Sequence, residues 1–185
     1  MIITAENQKS GKGQCHGVVS ELAAFYHVKP GHEDAMREAL KQFRETIANT
    51  DPKDLQRAGL RDNRLVMFDN DQRLVLLNTF DTDWVPYVDD AFQVIAPEHW
   101  LSWQQHTVES DNIKGVPTLA DLRQSLWDGQ TGATTYWNMF ADYTIAQLKK
   151  ALRVEQAFQQ LLDDPAAVEA LQHPALKPLL EQAAN

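Results

Sequence analysis

The stretch from Arg64 to Asp90 constrains the fold most, because two apolar, β-rich runs flank a short polar tetrad there. The tetrad, Asp69–Gln72, predicts a tight hairpin turn, since Asn and Asp tolerate the backbone angles that such turns require. The second run leads through Asp81 and Thr82 to Asp83, which is a good N-cap for a following helix. The stretch therefore predicts strand, turn, strand and helix, which is the middle of a β-α-β-β-α-β unit.

The flanking segments supply the other elements of this unit. Residues 18–29 predict a strand that ends at Pro30-Gly31, and residues 32–48 predict a helix with one apolar stripe. A second long helix is predicted over residues 83–109, with a kink near Ala96 because Pro97 removes a helical hydrogen bond. Residues 133–141 predict the last strand, since aromatic and β-branched residues are dense there.

These elements predict an α+β fold, a ferredoxin-like domain with a four-stranded antiparallel sheet and extra C-terminal helices. We assign residues 1–17, which are polar and contain three glycines, to a mobile N-terminal tail. Residues 18–142 form the ferredoxin-like domain, and residues 143–185 form a C-terminal helical extension interrupted by prolines. A chain of 185 residues, 43% of them hydrophobic, is long enough to bury a core without disulfides or metal.

Charge and cysteine content exclude several classes of partner. The net charge of −9 argues against nucleic acid and against anionic membranes, both of which select clustered Lys and Arg. Cys15 is the single cysteine, so no intramolecular disulfide forms, and the chain suits a reducing compartment. The N-terminus lacks the apolar core of a signal peptide, and no run approaches the length of a membrane span. We therefore expect a soluble, cytoplasmic protein with no nucleic-acid or membrane partner.

Known catalytic and metal motifs are missing from the sequence. It contains no Gly-x-Ser-x-Gly, no phosphate-binding loop and no dinucleotide fingerprint. The acidic residues between Asp81 and Asp90 lack the loop spacing of a calcium site, and Cys15-His16 lacks further zinc ligands nearby. We expect no metal site.

The densest group of chemically versatile side chains lies in the second predicted helix. His99, Trp103 and His106 fall on one helical face, with Trp100 beside them. Two histidines seven residues apart lie about 10 Å apart along a helix, too far to share one metal ion. Either histidine alone is a candidate haem ligand, with the tryptophans forming the wall of an apolar pocket. The alternative is that these residues only pack the helix onto the sheet.

Three polar residues occur within predicted strands. His27 is a candidate general base, because the pKa of histidine lies near neutrality. Asn78 and Asn138 are candidate anchors for a substrate carbonyl or an enolate-like anion, since Asn is depleted in strands and needs a reason to be there. For each residue the alternative is a purely structural role in the core or at an interface.

The segment AAFYHVKPGHEDAMREAL combines an apolar strand, Lys-Pro-Gly-His-Glu and an amphipathic helix. It resembles the start of the dimeric α/β-barrel superfamily, in particular the antibiotic-biosynthesis-type monooxygenases and EthD-like proteins. Haem-degrading enzymes belong to the same superfamily. The resemblance implies a homodimer in which the open face of one sheet pairs with that of a second subunit. It also implies a ligand pocket between the sheet and the helices.

The leading hypothesis is a small dimeric α/β-barrel enzyme, a cofactor-independent monooxygenase acting on an apolar, aromatic or polyketide-like small molecule. In it, His27 is the base, Asn78 and Asn138 are polar anchors, and Trp103 lines the pocket. The second hypothesis is a haem-binding or haem-handling protein that uses His99 or His106. The third is a non-enzymatic dimerisation or accessory module with a filled core, in which the space beneath the kinked helix holds no more than a few waters.

Overall fold

The computed structural model describes residues 11–113 and 118–183, and the chain divides into two compact units, residues 1–146 and 147–185. The first unit is built on an antiparallel sheet of five strands. The strands are β1 (Cys15–His16), β2 (Val19–His27), β3 (Leu60–Phe68), β4 (Arg73–Asp81) and β5 (Gln130–Thr131). They follow the order β1-β2-β4-β3, and β5 also pairs with β2. The strand β4 pairs with one edge of β2. The two short strands β1 and β5 pair with different parts of the other edge of β2.

The predicted hairpin forms the centre of this sheet. Phe68 lies opposite Arg73, and β3 and β4 pair from there to Leu60 and Phe80. Asp69, Asn70 and Asp71 all have positive φ, between 52° and 66°, which Asn and Asp adopt more readily than other side chains. The prediction of a hairpin at this tetrad is confirmed.

The helices of the first unit are interspersed with these strands along the chain. They are α1 (Glu33–Asn49), α2 (Pro52–Arg57), α3 (Trp84–Val94), α4 (Pro97–Gln104) and α5 (Leu119–Gly129), with a 3₁₀ turn at Val108–Asn112. The predicted break in the long helix is confirmed, because α3 ends at Val94 and Pro97 takes the first turn of α4.

The hydrophobic core lies between the helices and one face of the sheet. Leu22, Ala24 and Tyr26 of β2 face the same side as Leu74, Leu76 and Phe80 of β4, and all are buried. On the helix side, Trp100 packs edge-on against Phe43 and Phe92, with ring centroids 5.0 and 5.3 Å away. Burial of such aromatic side chains supplies much of the stabilisation of a core.

The α+β class with an antiparallel sheet and additional C-terminal helices is confirmed. The predicted last strand over residues 133–141 is wrong, because β5 comprises only Gln130–Thr131 and residues 132–144 form turns and irregular backbone. The physical reason lies at the edge of β2. There β1 pairs with Val19 and Ser20, and the Glu21 N–H donates to the Gln14 carbonyl at 3.0 Å. The β-propensity of TTYWNMFA is overridden because the ladder it would join is already occupied.

The residues assigned to a tail divide into two parts. Residues 1–10 lie outside the described part of the chain. Residues 11–17 lie on the sheet, where the Lys12 N–H donates to the Gln130 side chain at 3.0 Å and the Gln14 N–H donates to the Glu21 carboxylate at 2.9 Å. The predicted domain boundaries at 17 and 142 remain predictions.

The C-terminal extension is helical, as predicted. It contains α6 (Ile145–Leu162), α7 (Val168–Leu171) and α8 (Lys177–Ala183), with 3₁₀ turns at Pro165–Ala167 and Pro174–Leu176. Each of these two 3₁₀ turns begins at a proline, which suits the first position of a helical turn. Within residues 11–113 and 118–183, no helix has the length and apolar character needed to cross a membrane.

Candidate functional site

A chain of three hydrogen-bonded polar side chains lies on the helix side of the sheet. The Asn63 Nδ2 donates to Asn78 Oδ1 at 2.7 Å, and Asn78 Nδ2 donates to the Tyr87 hydroxyl at 2.7 Å. Asn78 is only 4% exposed and Tyr87 only 3%. Buried polar groups of this kind need partners, and here each amide satisfies its neighbour.

The hairpin register brings the two asparagines together. Asn63 of β3 lies directly opposite Asn78 of β4, and a β-bulge separates the Leu60–Phe80 pair from the Asp62–Thr79 pair. The pairing follows from the turn, since counting from the Phe68–Arg73 pair leads to Asn63–Asn78 before the bulge is reached. Beyond that pair the bulge shifts the register by one residue, so that Leu60 rather than Arg61 lies opposite Phe80.

Tyr87 completes the chain from α3. Its ring stacks on Phe80 with centroids 3.9 Å apart and an angle of 9° between the planes, which fixes the hydroxyl above Asn78. Burial raises the pKa of Tyr87 well above its usual value, an effect that the Asn78 hydrogen bond opposes and the charge of Asp62 reinforces. The hydroxyl is therefore neutral at pH 7. Since it accepts a hydrogen bond from Asn78, its own proton remains to be donated.

A small cavity adjoins this polar chain beneath α2, α3 and α4. Its volume of about 20 Å³ is enough for about one water molecule. Asn63 and Tyr87 are the polar residues that border it, and nearly all of its surface is apolar. The apolar lining consists of Ile47, Leu55, Ala58, Leu60, Ala91, Val94, Ile95 and Trp100.

The predicted catalytic residues lie in three separate places. Asn78 lies behind the cavity, hydrogen-bonded to the two polar residues that border it, Asn63 and Tyr87. His27 ends β2 on the opposite, open face of the sheet, where its ring Nδ1 lies 2.8 Å from Glu109 and its side chain is 65% exposed. Asn138 lies in the irregular segment at the other end of β2, where its backbone N–H donates to His16 at 3.1 Å. Nine residues of strand separate the two ends, roughly 27 Å.

The predicted cofactor-binding residues also separate. Trp103 is fully buried between Tyr26 and Phe43, with ring centroids 5.5 and 6.4 Å away, and packs in the core. His99 borders an open groove between α1 and α4, where Thr46 Oγ1 lies 3.4 Å from its Nδ1. His106 faces His32, with their Nδ1 atoms 3.0 Å apart. The groove at His99 is lined largely by polar residues, which does not favour a haem pocket.

Two residues of the polar chain, Asn63 and Tyr87, were not identified from the sequence. For Asn63, the sequence contains a pattern that predicts its position. The turn at Asp69–Gln72 pairs Phe68 with Arg73, and counting back along both strands places Asn63 opposite Asn78. Two asparagines at matched positions of a predicted hairpin therefore predict a cross-strand pair. Tyr87 carried no such signal, because its contact with Asn78 depends on how α3 crosses the sheet.

Two solved structures are similar to this chain. One, a candidate antibiotic biosynthesis monooxygenase from Bordetella bronchiseptica, is 19% identical with a TM-score of 0.34, and the match covers 50% of this chain and 84% of that chain. The other, a candidate antibiotic biosynthesis monooxygenase from Nitrosomonas europaea, is 17% identical with a TM-score of 0.35, covering 56% and 86% respectively. Both bear the name of a family that the sequence resembles.

No protein-family model and no curated protein matches the chain.

Proposed function

We propose that this protein is a cofactor-independent, monooxygenase-like enzyme that acts on an apolar aromatic or polyketide-like small molecule. The observation that carries the proposal is the Asn63–Asn78–Tyr87 chain, a neutral hydrogen-bonded group at the edge of an otherwise apolar cavity. Small-molecule sites are typically apolar with a few placed polar groups.

The proposed reaction oxidises an activated methylene, as in an anthrone, to a carbonyl. Loss of a proton gives a phenolate-like anion, which transfers electrons to O₂. One oxygen atom enters the substrate and the other leaves as water with the two methylene hydrogens, so the substrate is its own reductant. In this mechanism the Tyr87 O–H and the asparagine amides donate hydrogen bonds to the developing oxyanion.

A substrate of this size requires the cavity to open. The element best suited to move is α2, a six-residue helix that contributes Leu55 to the lining and contains no buried residue. Segments with few buried contacts open at low free-energy cost. We infer that displacement of α2 admits the ligand beneath α3 and α4.

The reaction needs a general base to remove the methylene proton. His27 was the sequence-based candidate, and it lies on the face of the sheet opposite Asn78, so it serves as base only for a substrate bound on the open face. If His27 is the base, His27→Ala abolishes turnover without unfolding the protein. Retained turnover removes His27 from the mechanism.

The test is aerobic conversion of 1,8-dihydroxyanthrone to its anthraquinone, followed by absorbance and by oxygen uptake against a protein-free blank. Asn78→Ala and Tyr87→Phe should each lower the protein-dependent rate by about tenfold to a thousandfold, the range for losing one oxyanion donor. Asn112→Ala, at an exposed asparagine, is the matched control. A rate equal to the blank for the native chain, or unchanged in both Asn78→Ala and Tyr87→Phe, contradicts the proposal.

A second candidate, a non-enzymatic dimerisation or accessory module, is favoured by the size of the cavity. Space for about one water is what that hypothesis predicts beneath the kinked helix. If it holds, the anthrone assay stays at the blank rate, and titration with the anthraquinone product produces no change in tryptophan fluorescence even though Trp100 borders the cavity.

A further inference from the structure

A pair of histidines outside the candidate site has the geometry of two ligands to one metal ion. His32 precedes the first turn of α1 and His106 follows α4. Their Nδ1 atoms lie 3.0 Å apart, their ring centroids 5.3 Å apart, and their planes are inclined by 59°. Two imidazole nitrogens that each lie about 2.1 Å from one ion, at 90° to each other, are separated by about 3.0 Å.

The backbone holds both histidines in place without using their rings. The His32 N–H donates to the Lys29 carbonyl at 2.9 Å, and the His32 carbonyl accepts from Met36 at 2.8 Å. The His106 carbonyl accepts from the Lys29 N–H at 2.9 Å, and its own N–H donates to Trp103. The Lys29 backbone therefore forms hydrogen bonds with the backbones of both histidines. These bonds, rather than long side chains, keep the two residues next to each other.

Solvent reaches the histidine pair, and the neighbouring Lys29 cation is already paired. Both rings are half-buried and remain accessible to solvent. The Lys29 ammonium, which would repel a cation, is engaged by Asp111 at 2.7 Å and by the Gln105 carbonyl at 3.0 Å.

We propose that His32 and His106 form a binding site for a divalent transition-metal ion that favours tetragonal coordination, such as Cu²⁺ or Ni²⁺. The 3.0 Å separation fits adjacent ligands at a right angle, whereas tetrahedral Zn²⁺ would separate them by about 3.4 Å. Among the described residues, no group of three His, Cys, Asp or Glu is placed to hold a metal, so water completes the coordination sphere. The site is independent of the proposed enzymatic function.

The experiment is calorimetric titration of NiCl₂ into the full chain, free of any histidine tag and carrying Cys15→Ser, so that the exposed thiol does not compete. The expected result is one Ni²⁺ per chain, bound at least tenfold more tightly than Zn²⁺. His32→Gln and His106→Gln should each weaken Ni²⁺ binding at least tenfold. His173→Gln, at an exposed histidine of the second unit, should bind as the parent does.

His32→Gln is the decisive variant, because His32 makes no side-chain cap bond to α1 and its replacement leaves the helix intact. One contrary outcome is that folded His32→Gln binds Ni²⁺ with the parent affinity. The other is that the parent chain does not bind Ni²⁺ at 1 mM, so that the two rings form only a hydrogen bond with each other. Either outcome overturns the proposal. Tighter binding of Zn²⁺ than of Ni²⁺ would overturn the coordination geometry.

Discussion

At the scale of single residues, Asn78 connects the sheet to α3 through one side chain. Its carbonyl oxygen accepts from Asn63 and its amide donates to Tyr87, so both ends of the amide are used in a buried position. Removing a buried hydrogen-bond partner costs more than the bond itself contributes, because the remaining groups lose water without regaining a partner.

Asn78→Ala should therefore lower the free energy of unfolding by about 1–3 kcal/mol. Tyr87→Phe should lower it less, because the ring still stacks on Phe80. In the double variant the losses should be less than additive, since both changes remove the same hydrogen bond. Chemical denaturation of the four proteins measures this coupling, and strictly additive losses would show that the bond contributes nothing.

Tyr87 also predicts how stability changes at alkaline pH. Burial raises its pKa in the folded chain above the value near 10 of an unfolded tyrosine. Between those two values the unfolded chain binds fewer protons, so the free energy of unfolding falls as pH rises above about 10. Tyr26, also buried, adds to the decline because burial raises its pKa as well.

The predicted slope is about −1.4 kcal/mol per pH unit for each buried tyrosine. Tyr87→Phe should make the decline shallower, because it removes one of the two buried phenols. Urea denaturation between pH 9 and 11 tests this, and equal slopes in the native chain and Tyr87→Phe would contradict it.

Gln104 is a residue whose burial destabilises the fold. It is 1% exposed, and among the described residues neither polar atom of its side chain has a hydrogen-bond partner. Gln104→Met keeps the shape and removes the unpaired groups, so it should raise the free energy of unfolding by about 1 kcal/mol. The exposed Gln93 supplies the control, Gln93→Met. A loss of stability in Gln104→Met would indicate a buried water that satisfies the amide.

At the scale of elements, the irregular segment 132–144 shows how side chains replace a missing strand. A buried ion pair anchors its C-terminal end. Arg61 Nε lies 2.6 Å from Asp81 Oδ1, and both side chains are 9% exposed. Arg61 also donates to the Tyr143 carbonyl, and Asp81 Oδ2 accepts from the Ile145 N–H at 2.6 Å. This pair therefore connects β3, β4 and the start of α6.

Arg61→Met should lower the free energy of unfolding by about 3–5 kcal/mol, because it leaves the Asp81 carboxylate buried without its cation. Arg64→Met is the matched control on the same strand. Its ion pair with Asp62 is exposed and 3.5 Å long, and such pairs contribute about 0–1 kcal/mol. Thermal and chemical denaturation of both variants gives the comparison, and similar losses would contradict the role assigned to Arg61.

At the scale of the whole molecule, the face of the first unit's sheet opposite the helices carries partly exposed apolar side chains. Phe25, Val66, Phe68, Val75 and Leu77 lie on this face, opposite the helices, and Val66 is 44% exposed. We propose a homodimer through this face, as the family resemblance implies. A two-fold interface buries the same patch on both subunits.

Sedimentation equilibrium of the native chain should then give twice the mass of one chain. Val66→Asp should produce monomers, because it places a charge beside the apolar side chains of Val75 and Phe25 on this face. Val85→Asp, at a valine of α3 that is 45% exposed, introduces the same charge away from this face and should leave the dimer intact. A monomeric native chain, or a dimer that survives Val66→Asp, would contradict the proposed interface.

The order β2, α1, β3, β4, α3 and α4 follows from the sequence because it depends on local signals. The turn residues at 69–72, the helical stripe after Gly31 and the proline at position 97 each act over a few residues. Local chemistry also determined the hairpin register, and with it the pairing of Asn63 and Asn78.

The tertiary structure alone decided where distant segments compete for the same neighbour. Residues 133–141 have strand-forming side chains, yet residues 14–16 occupy the edge of β2 beside which they would pair. The same holds for the site: strand alternation separates His27 from Asn78, and the crossing of α3 over the sheet brings Tyr87 to Asn78. Local sequence fixes backbone conformation through short-range sterics and hydrogen bonds, whereas partners far apart in the chain are chosen by the packing of the whole core.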